Sequence, residues 1–242
     1  MENKLTDREY WANYWANYEF KLIPENVLFK KYIPRLQGAK SFIEIGGFPG
    51  EVAAYFYKNV CTDIHILDYY IDKAIINKLE RVNSIPEDSF KCIEADFFEY
   101  NDNSSFDIVF SYGFIEHFDN TKDVLARHIR LLSDKGKLLV ILPNFRGLNG
   151  LVQYLFDRDT FKVHNLKSMI PKSLRQILTD ARLSNIEVRY TPKPMLWLEP
   201  KPNSSRLLRN IIKVFSYALK LIPIPGRLLS PYIIIYAEKN SK

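Results

Sequence analysis

The stretch that most constrains this chain is Phe42-Ile43-Glu44-Ile45-Gly46-Gly47-Phe48-Pro49-Gly50. Phe42 to Ile45 reads as a buried strand. The Gly- and Pro-rich turn follows, and a helical pattern starts at Glu51 and runs through Val52, Ala53, Tyr55 and Phe56. Strand, tight loop and helix make the opening βα unit of a doubly wound sheet, which binds its ligands outside the carboxyl ends of the strands. Glycines in such a loop let the backbone approach a ligand closely, and an acid, Glu44, stands where the strand ends. Two familiar phosphate loops do not fit. Read from Gly46, the dinucleotide pattern Gly-x-Gly-x-x-Gly falls on Gly46, Phe48 and Glu51, and no Gly-Lys-Ser/Thr follows the turn.

The rest of the chain alternates in the same way. Asp63 to Asp68 reads as a second strand, and Asp68 lies roughly 20 residues past the loop, the place from which an acid holds a ribose diol. A helix over Asp72–Arg81 leads to strand three, Phe90–Phe97. Strand four, Ser105–Ser111, runs into Tyr112-Gly113-Phe114-Ile115-Glu116-His117-Phe118, with Glu116-His117 on a short helix. A helix over Val124–Leu132, a turn at Asp134-Lys135-Gly136 and strand five over Lys137–Pro143 come next. Residues 144–167 are irregular and longer than an ordinary connection, which reads as a functional insertion. A helix over Ser168–Arg182 precedes strand six, Asn185–Tyr190, and strand seven, Pro231–Glu238. Near the start, Pro24 opens a helix over Glu25–Leu36 that Gly38 ends. No linker or repeat divides the chain, so one domain is expected.

Glu44, Gly46 and Gly50 match three places of the motif acid-x-Gly-x-Gly-x-Gly, with Phe48 at the middle glycine and Gly47 just before it. With Glu116-His117 after strand four and Lys135-Gly136-Lys137-Leu138-Leu139-Val140 before Pro143, the chain resembles the class I S-adenosylmethionine (SAM)-dependent methyltransferases of small-molecule type. The resemblance implies an α/β, Rossmann-like doubly wound sheet of seven strands, mostly parallel, with strand seven antiparallel beside strand six. It implies S-adenosyl-L-methionine as cofactor. Loop residues Glu44, Gly46, Gly47, Phe48 and Gly50 would hold it, with Asp68 and Tyr69 after strand two, and Ser111 and Tyr112 at the end of strand four. Asp96 would accept from the adenine amino group, or else cap a turn, and Phe97 would pack on the ring. The implied parts are a helical cap (1–38), a cofactor half (39–143), a substrate insertion (144–167) and a C-terminal half (168–242). The Asn/Asp-Pro-Pro-Tyr/Phe signature of base methylation is missing, and no nucleic-acid partner is expected. An NAD(P)-dependent oxidoreductase and a non-catalytic SAM- or nucleotide-binding module stand as alternatives.

A sulfonium donor supplies the hard chemistry, so the protein has to orient an acceptor and exclude water. A hydroxyl acceptor must also lose its proton. His117 is the first candidate base, and its alternative role is to pack the short helix; His164 in the insertion is the second. His65 and His128 read as strand and surface-helix residues. The aromatic run Tyr10–Tyr18 forms a helix that either packs on the core or closes as a lid. In the second case Trp11 and Tyr14 would touch the acceptor, as would Asn144 and Tyr154 from the insertion. The expected acceptor is a hydroxyl of a sugar, lipid-linked or other small metabolite.

Composition narrows the setting. A formal charge of +6 over 242 residues is modest, compatible with an anionic substrate, an anionic membrane surface or RNA, and singles out none of them. The N-terminus lacks a signal peptide's apolar core, and no apolar run reaches the ~20 residues of a membrane span. Cys61 and Cys92 have no metal-ligand spacing, no metal is expected, and buried reduced thiols suit a cytoplasmic protein. A helix over 205–222 is amphipathic. Arg206, Arg209, Lys213 and Lys220 fall within ~60° of one another, opposite Leu208, Ile211, Ile212, Phe215, Ala218, Leu219 and Ile222. That helix either docks on the domain or lies peripherally on the inner membrane surface.

Overall fold

The computed structural model describes residues 8–15, 18–101, 103–198, 205–219 and 226–241. In chain order its elements are α1 (Arg8–Trp15), α2 (Ile33–Leu36), β1 (Ser41–Ile45), α3 (Glu51–Asn59), β2 (Asp63–Asp68), α4 (Lys73–Val82), β3 (Phe90–Glu94) and β4 (Phe106–Tyr112). There follow α5 (Thr121–Arg130), β5 (Leu132–Pro143), α6 (Leu148–Phe156), α7 (Arg158–Lys162), α8 (Pro171–Asp180), β6 (Ser184–Tyr190), α9 (Arg206–Leu219) and β7 (Tyr232–Glu238). The strands form one seven-stranded sheet in the order β3-β2-β1-β4-β5-β7-β6. β7 runs antiparallel to both β5 and β6, and the other neighbours are parallel.

Strand alternation sorts the core into two layers, because successive side chains point to opposite faces. Ile43 and Ile45, Leu138, Val140 and Leu142, and Ile233 and Ile235 pack with Val124 and Leu125 of α5 and Leu174 and Leu178 of α8. Phe42, Ile108, Phe110, Leu139, Ile141 and Tyr236 pack on the other face with Ala53 and Phe56 of α3, and Ile76 and Leu79 of α4. The strand order reverses between β1 and β4. Their carboxyl ends splay their loops apart there and leave the crevice in which open α/β sheets place ligands.

The structure redraws four local expectations. No helix spans Glu25–Leu36; only a 3₁₀ turn at Lys30–Tyr32 and the short α2 form. Pro34 sits in the first turn of α2, and its ring would collide with the carbonyl four residues back if the helix began earlier. The Asp134–Gly136 turn is absorbed into β5, with Lys135 at φ 62° and a register shift against β4. Residues 144–167 are mostly helical, as α6 and α7. His128 is fully buried rather than on the surface: it donates from Nδ1 to the Val124 carbonyl (2.8 Å) and pairs through Nε2 with Ser111 Oγ (3.1 Å).

Candidate functional site

A cavity of about 360 Å³ opens at the carboxyl ends of β1, β2 and β4, within the range of small-molecule sites. Its floor is the β1–α3 loop. Gly46 and Gly50 take the left-handed conformation (φ 66° and 102°), which L side chains avoid. Gly47 is needed for space instead: a Cβ there would lie 2.6 Å from Cγ of Glu44. Glu44 is buried, and its Oε2 accepts from the Ala53 amide (2.9 Å), tying the end of β1 to the first turn of α3. Burial raises its proton affinity well above the ordinary carboxylate range.

Asp68 closes the next side. One oxygen accepts from the Phe48 amide (2.9 Å), the other from the Tyr70 amide (3.2 Å). Desolvation pushes its pKa up to about 6. The amides of Phe48, Tyr70 and Tyr69 favour its charged form and offset part of that rise. Asp96 lines the cavity and also caps its own turn through the Phe98 amide (2.9 Å). Phe97 packs edge-on to Phe114 and His128.

Glu44, Gly46, Gly47, Phe48, Asp68, Tyr69, Asp96, Phe97 and Tyr112 all line this cavity. Gly50 does not, since a Cβ there would face Ile66 and Leu79 behind the loop. Ser111 turns the other way, to His128. Phe48 is 3% exposed and wedged edge-on between Trp15 and Tyr70. A glycine at this position would therefore remove a core ring, at a cost of about 3–5 kcal/mol.

α1 covers the mouth. Trp15 abuts Phe48, Trp11 meets the ring of His117 edge-on (5.3 Å), and Tyr10 and Tyr14 complete the wall. None of the helix's residues is buried; Arg8 pairs with Glu94, and beyond the helix Tyr18 donates to Glu51 (2.6 Å). Asn17 lies outside the described residues.

The far end of the cavity is built around Glu116, His117 and His164, whose ligand atoms lie within 4.8 Å of one another. His117 donates from Nδ1 to the Val163 carbonyl (2.9 Å), and His164 donates from Nδ1 to the Thr160 carbonyl (2.6 Å). Desolvation pulls the pKa of His117 down to about 3 and that of His164 to about 4. Both are therefore neutral at pH 7, with Nε2 lone pairs left over. Burial pushes Glu116 up to about 8, and its Oε2 has no hydrogen-bond partner.

Asn144 and Tyr154 stand apart from this end. The Asn144 amide donates to the Arg227 and Ser230 carbonyls (2.8 and 2.7 Å), locking the β5 exit to residues 226–230. Tyr154 is half-exposed on α6, edge-on to Phe161 and under Arg158. Phe145, Thr160, Trp197 and Tyr232 line the cavity in their place. They come from four separate segments and carry no shared spacing, so sequence reasoning passed over them; Glu116 was legible beside His117 but had no visible partner.

The fold and crevice define a doubly wound sheet built for a nucleoside-bearing cofactor. The methyltransferase-domain family matches residues 12–188, well over half of the chain. The chain belongs to that family and is a SAM-dependent methyltransferase. It matches no curated protein by sequence. Among solved structures it is similar to a SAM-dependent methyltransferase from Archaeoglobus fulgidus, at 20% identity and a TM-score of 0.56, over 87% of this chain and 91% of that one. A phosphoethanolamine N-methyltransferase 2 from Haemonchus contortus, solved with phosphomonomethylethanolamine and S-adenosylhomocysteine, is 18% identical with a TM-score of 0.62. The match covers 96% of this chain but 57% of that one. The plantazolicin methyltransferase BpumL, solved with S-adenosylhomocysteine, is 16% identical with a TM-score of 0.56, over 88% and 81% of the two chains.

Proposed function

We propose that this single-domain enzyme methylates a hydroxyl of a small molecule, a sugar, lipid-linked compound or related metabolite, and that nucleic acid is not its substrate. The observation that carries this reading is the continuity of one cavity from Asp68 and Asp96 to His117 and His164. The residues suit the cofactor: two acids, Asp68 and Asp96, line the cavity at the strand ends beside a loop whose Gly47 has no room for a Cβ. Asp68 would hold the ribose hydroxyls, Asp96 the adenine amino group, and Glu44, Gly46, Gly47 and Phe48 the amino-acid end. When bound, SAM supplies an electrophilic methyl group. The chain's own part is to bind the acceptor between α1 and the Phe145–Trp197 wall, exclude water, and take the acceptor's proton on the neutral Nε2 of His117.

Replacing Asp68 by alanine is expected to weaken SAM binding by ~1.5–3 kcal/mol, since charge-assisted ribose bonds are lost. Calorimetry with SAM measures it. Unchanged affinity would remove Asp68 from the ribose, and a wild type that binds no SAM would remove the whole reading.

A membrane contact fits a lipid-linked acceptor. α9 docks through Ile212 and Ser216, the latter accepting from the Leu196 amide (2.9 Å). Ile211 and Phe215, expected on the docked side, are exposed, as are Leu207 and Val214. Arg206 and Lys213 are exposed, Arg209 is half-buried on the same stripe as Ile212 and Ser216, and Lys220, Ile222, Pro223 and Pro225 fall outside the described residues. Among the described residues no helix is long and apolar enough to cross a membrane. The half-buried free thiols Cys61 and Cys92 suit the cytoplasm. The protein is expected to co-sediment with anionic vesicles and to lose that binding when Ile211 and Val214 become Glu. A wild type that stays in the supernatant ends the proposal.

A further inference from the structure

Three potential metal-ligating atoms converge at the far end of the cavity. Two are the Nε2 atoms of His117 and His164; their tautomers are fixed because each spends its Nδ1 proton on a backbone carbonyl, of Val163 and Thr160. The third is a carboxylate oxygen of Glu116, whose Oε2 is buried without a partner. A buried carboxyl oxygen without a partner carries a desolvation cost, and burial favours the protonated form of Glu116; a bound cation would favour the ionised form instead.

The ligand atoms lie within 4.8 Å of one another. A metal about 2.1 Å from each ligand holds such atoms roughly 3–3.5 Å apart, so small side-chain rotations close the gap. The imidazole Nδ1 bonds to carbonyls are the outer-shell arrangement that orients ligating histidines. The cluster also lies on the cavity wall rather than behind it, so an ion there keeps open positions toward a bound molecule.

We propose that Glu116, His117 and His164 form a binding site for a divalent transition metal ion of the zinc, manganese or iron class. Two imidazoles and one carboxylate on one side of an open coordination sphere suit these ions better than calcium or magnesium. The inference rests on the proposed function only for where the acceptor sits. With the ion seated, the His117 lone pair coordinates it, and an acceptor hydroxyl bound to the ion gives up its proton to solvent more readily than it does free. The His117 lone pair serves either the ion or the acceptor's proton, so in the metal-loaded protein the ion takes over the role proposed above for His117 as base.

Chelator-stripped full-length protein titrated with CoCl₂ tests the site, followed by the visible absorption of the bound ion and by metal analysis after dialysis. One equivalent per chain is expected, with absorption of a nitrogen–oxygen site. Both should be lost in His164→Ala and in Glu116→Gln, while each variant still binds SAM by calorimetry and so is folded. A wild type that binds SAM yet retains only substoichiometric cobalt overturns the proposal, as does unchanged uptake in the two variants. A wild type that takes up cobalt but no SAM leaves the ion site standing and removes the methyltransferase reading instead.

Discussion

In the His117→Ala protein, turnover is expected to fall ~10²–10⁴-fold while SAM affinity stays within experimental error. The ring is the point where three parts of the chain meet. Its Nδ1 is held by Val163, its edge faces Trp11, and it stands 4.7 Å from the ring of His164. The cofactor cradle at Asp68 and Asp96 uses none of these contacts, which is why binding and turnover should separate. The loss corresponds to ~3–5 kcal/mol of transition-state stabilisation. The measurement is the rate of S-adenosylhomocysteine formation with the acceptor, identified as the metabolite that accumulates one methylene lighter in a deletion strain. Turnover within a few fold of wild type would leave His117 a packing residue of the Ile115–His117 turn.

The largest effect on stability is expected at Gly150. A Cβ there would lie 1.8 Å from the Phe145 carbonyl oxygen and 2.4 Å from its carbon. These are backbone atoms at the start of a helix, with no rotamer to move aside. Gly150→Ala is expected to cost about 4 kcal/mol or more, beyond the usual range for adding one methyl group. The relief available is a shift of Phe145, whose ring packs against His164 and Trp197, so the site would be disturbed with the fold. Gly38→Ala is the control: nothing lies within 4 Å, and only its φ of 83° opposes a side chain, a cost of ~1–2 kcal/mol. Urea unfolding of both variants checks the contrast. Equal midpoints would mean that the α6 start relaxes freely.

The sheet was readable because its signals are local. The β1 run, the turn glycines and the alternation of Leu138–Leu142 each constrain their own neighbours, and the parallel order follows once the first βα unit is in place. The elements that escaped are set by distant partners. Nothing near His128 reveals that Ser111 and Phe97 will enclose it. Residues 144–167 lack a clean helical stripe because α6 and α7 bury polar groups, Asn149, Gln153 and Thr160, against other loops. Asp68 and Asp96 line the cavity because the fold dictates where strand ends go. Asn144 and Tyr154 were placed by position in an insertion alone, and position did not say which way they turn. The meeting of Glu116 with His164 depends on Asn165, which accepts no help from sequence spacing: its amide N–H bonds to the Glu116 carbonyl (2.7 Å) and its side chain donates to the Phe118 carbonyl (2.8 Å).

The covering helix α1 has one more consequence, which concerns traffic. With no buried residue and a few edge contacts, it opens at a small fraction of the free energy that unfolding the sheet demands. Small molecules can then come and go through a door whose movement leaves the strands undisturbed. Because its inner surface is made of the same rings that face the cavity, occupants add contacts to the closed position and slow its opening. Amide exchange over residues 8–15 should therefore be fast in the free protein and slow with SAM bound, while exchange in β1 and β4 changes little. Equal protection in both states would mean that the door stays shut on its own.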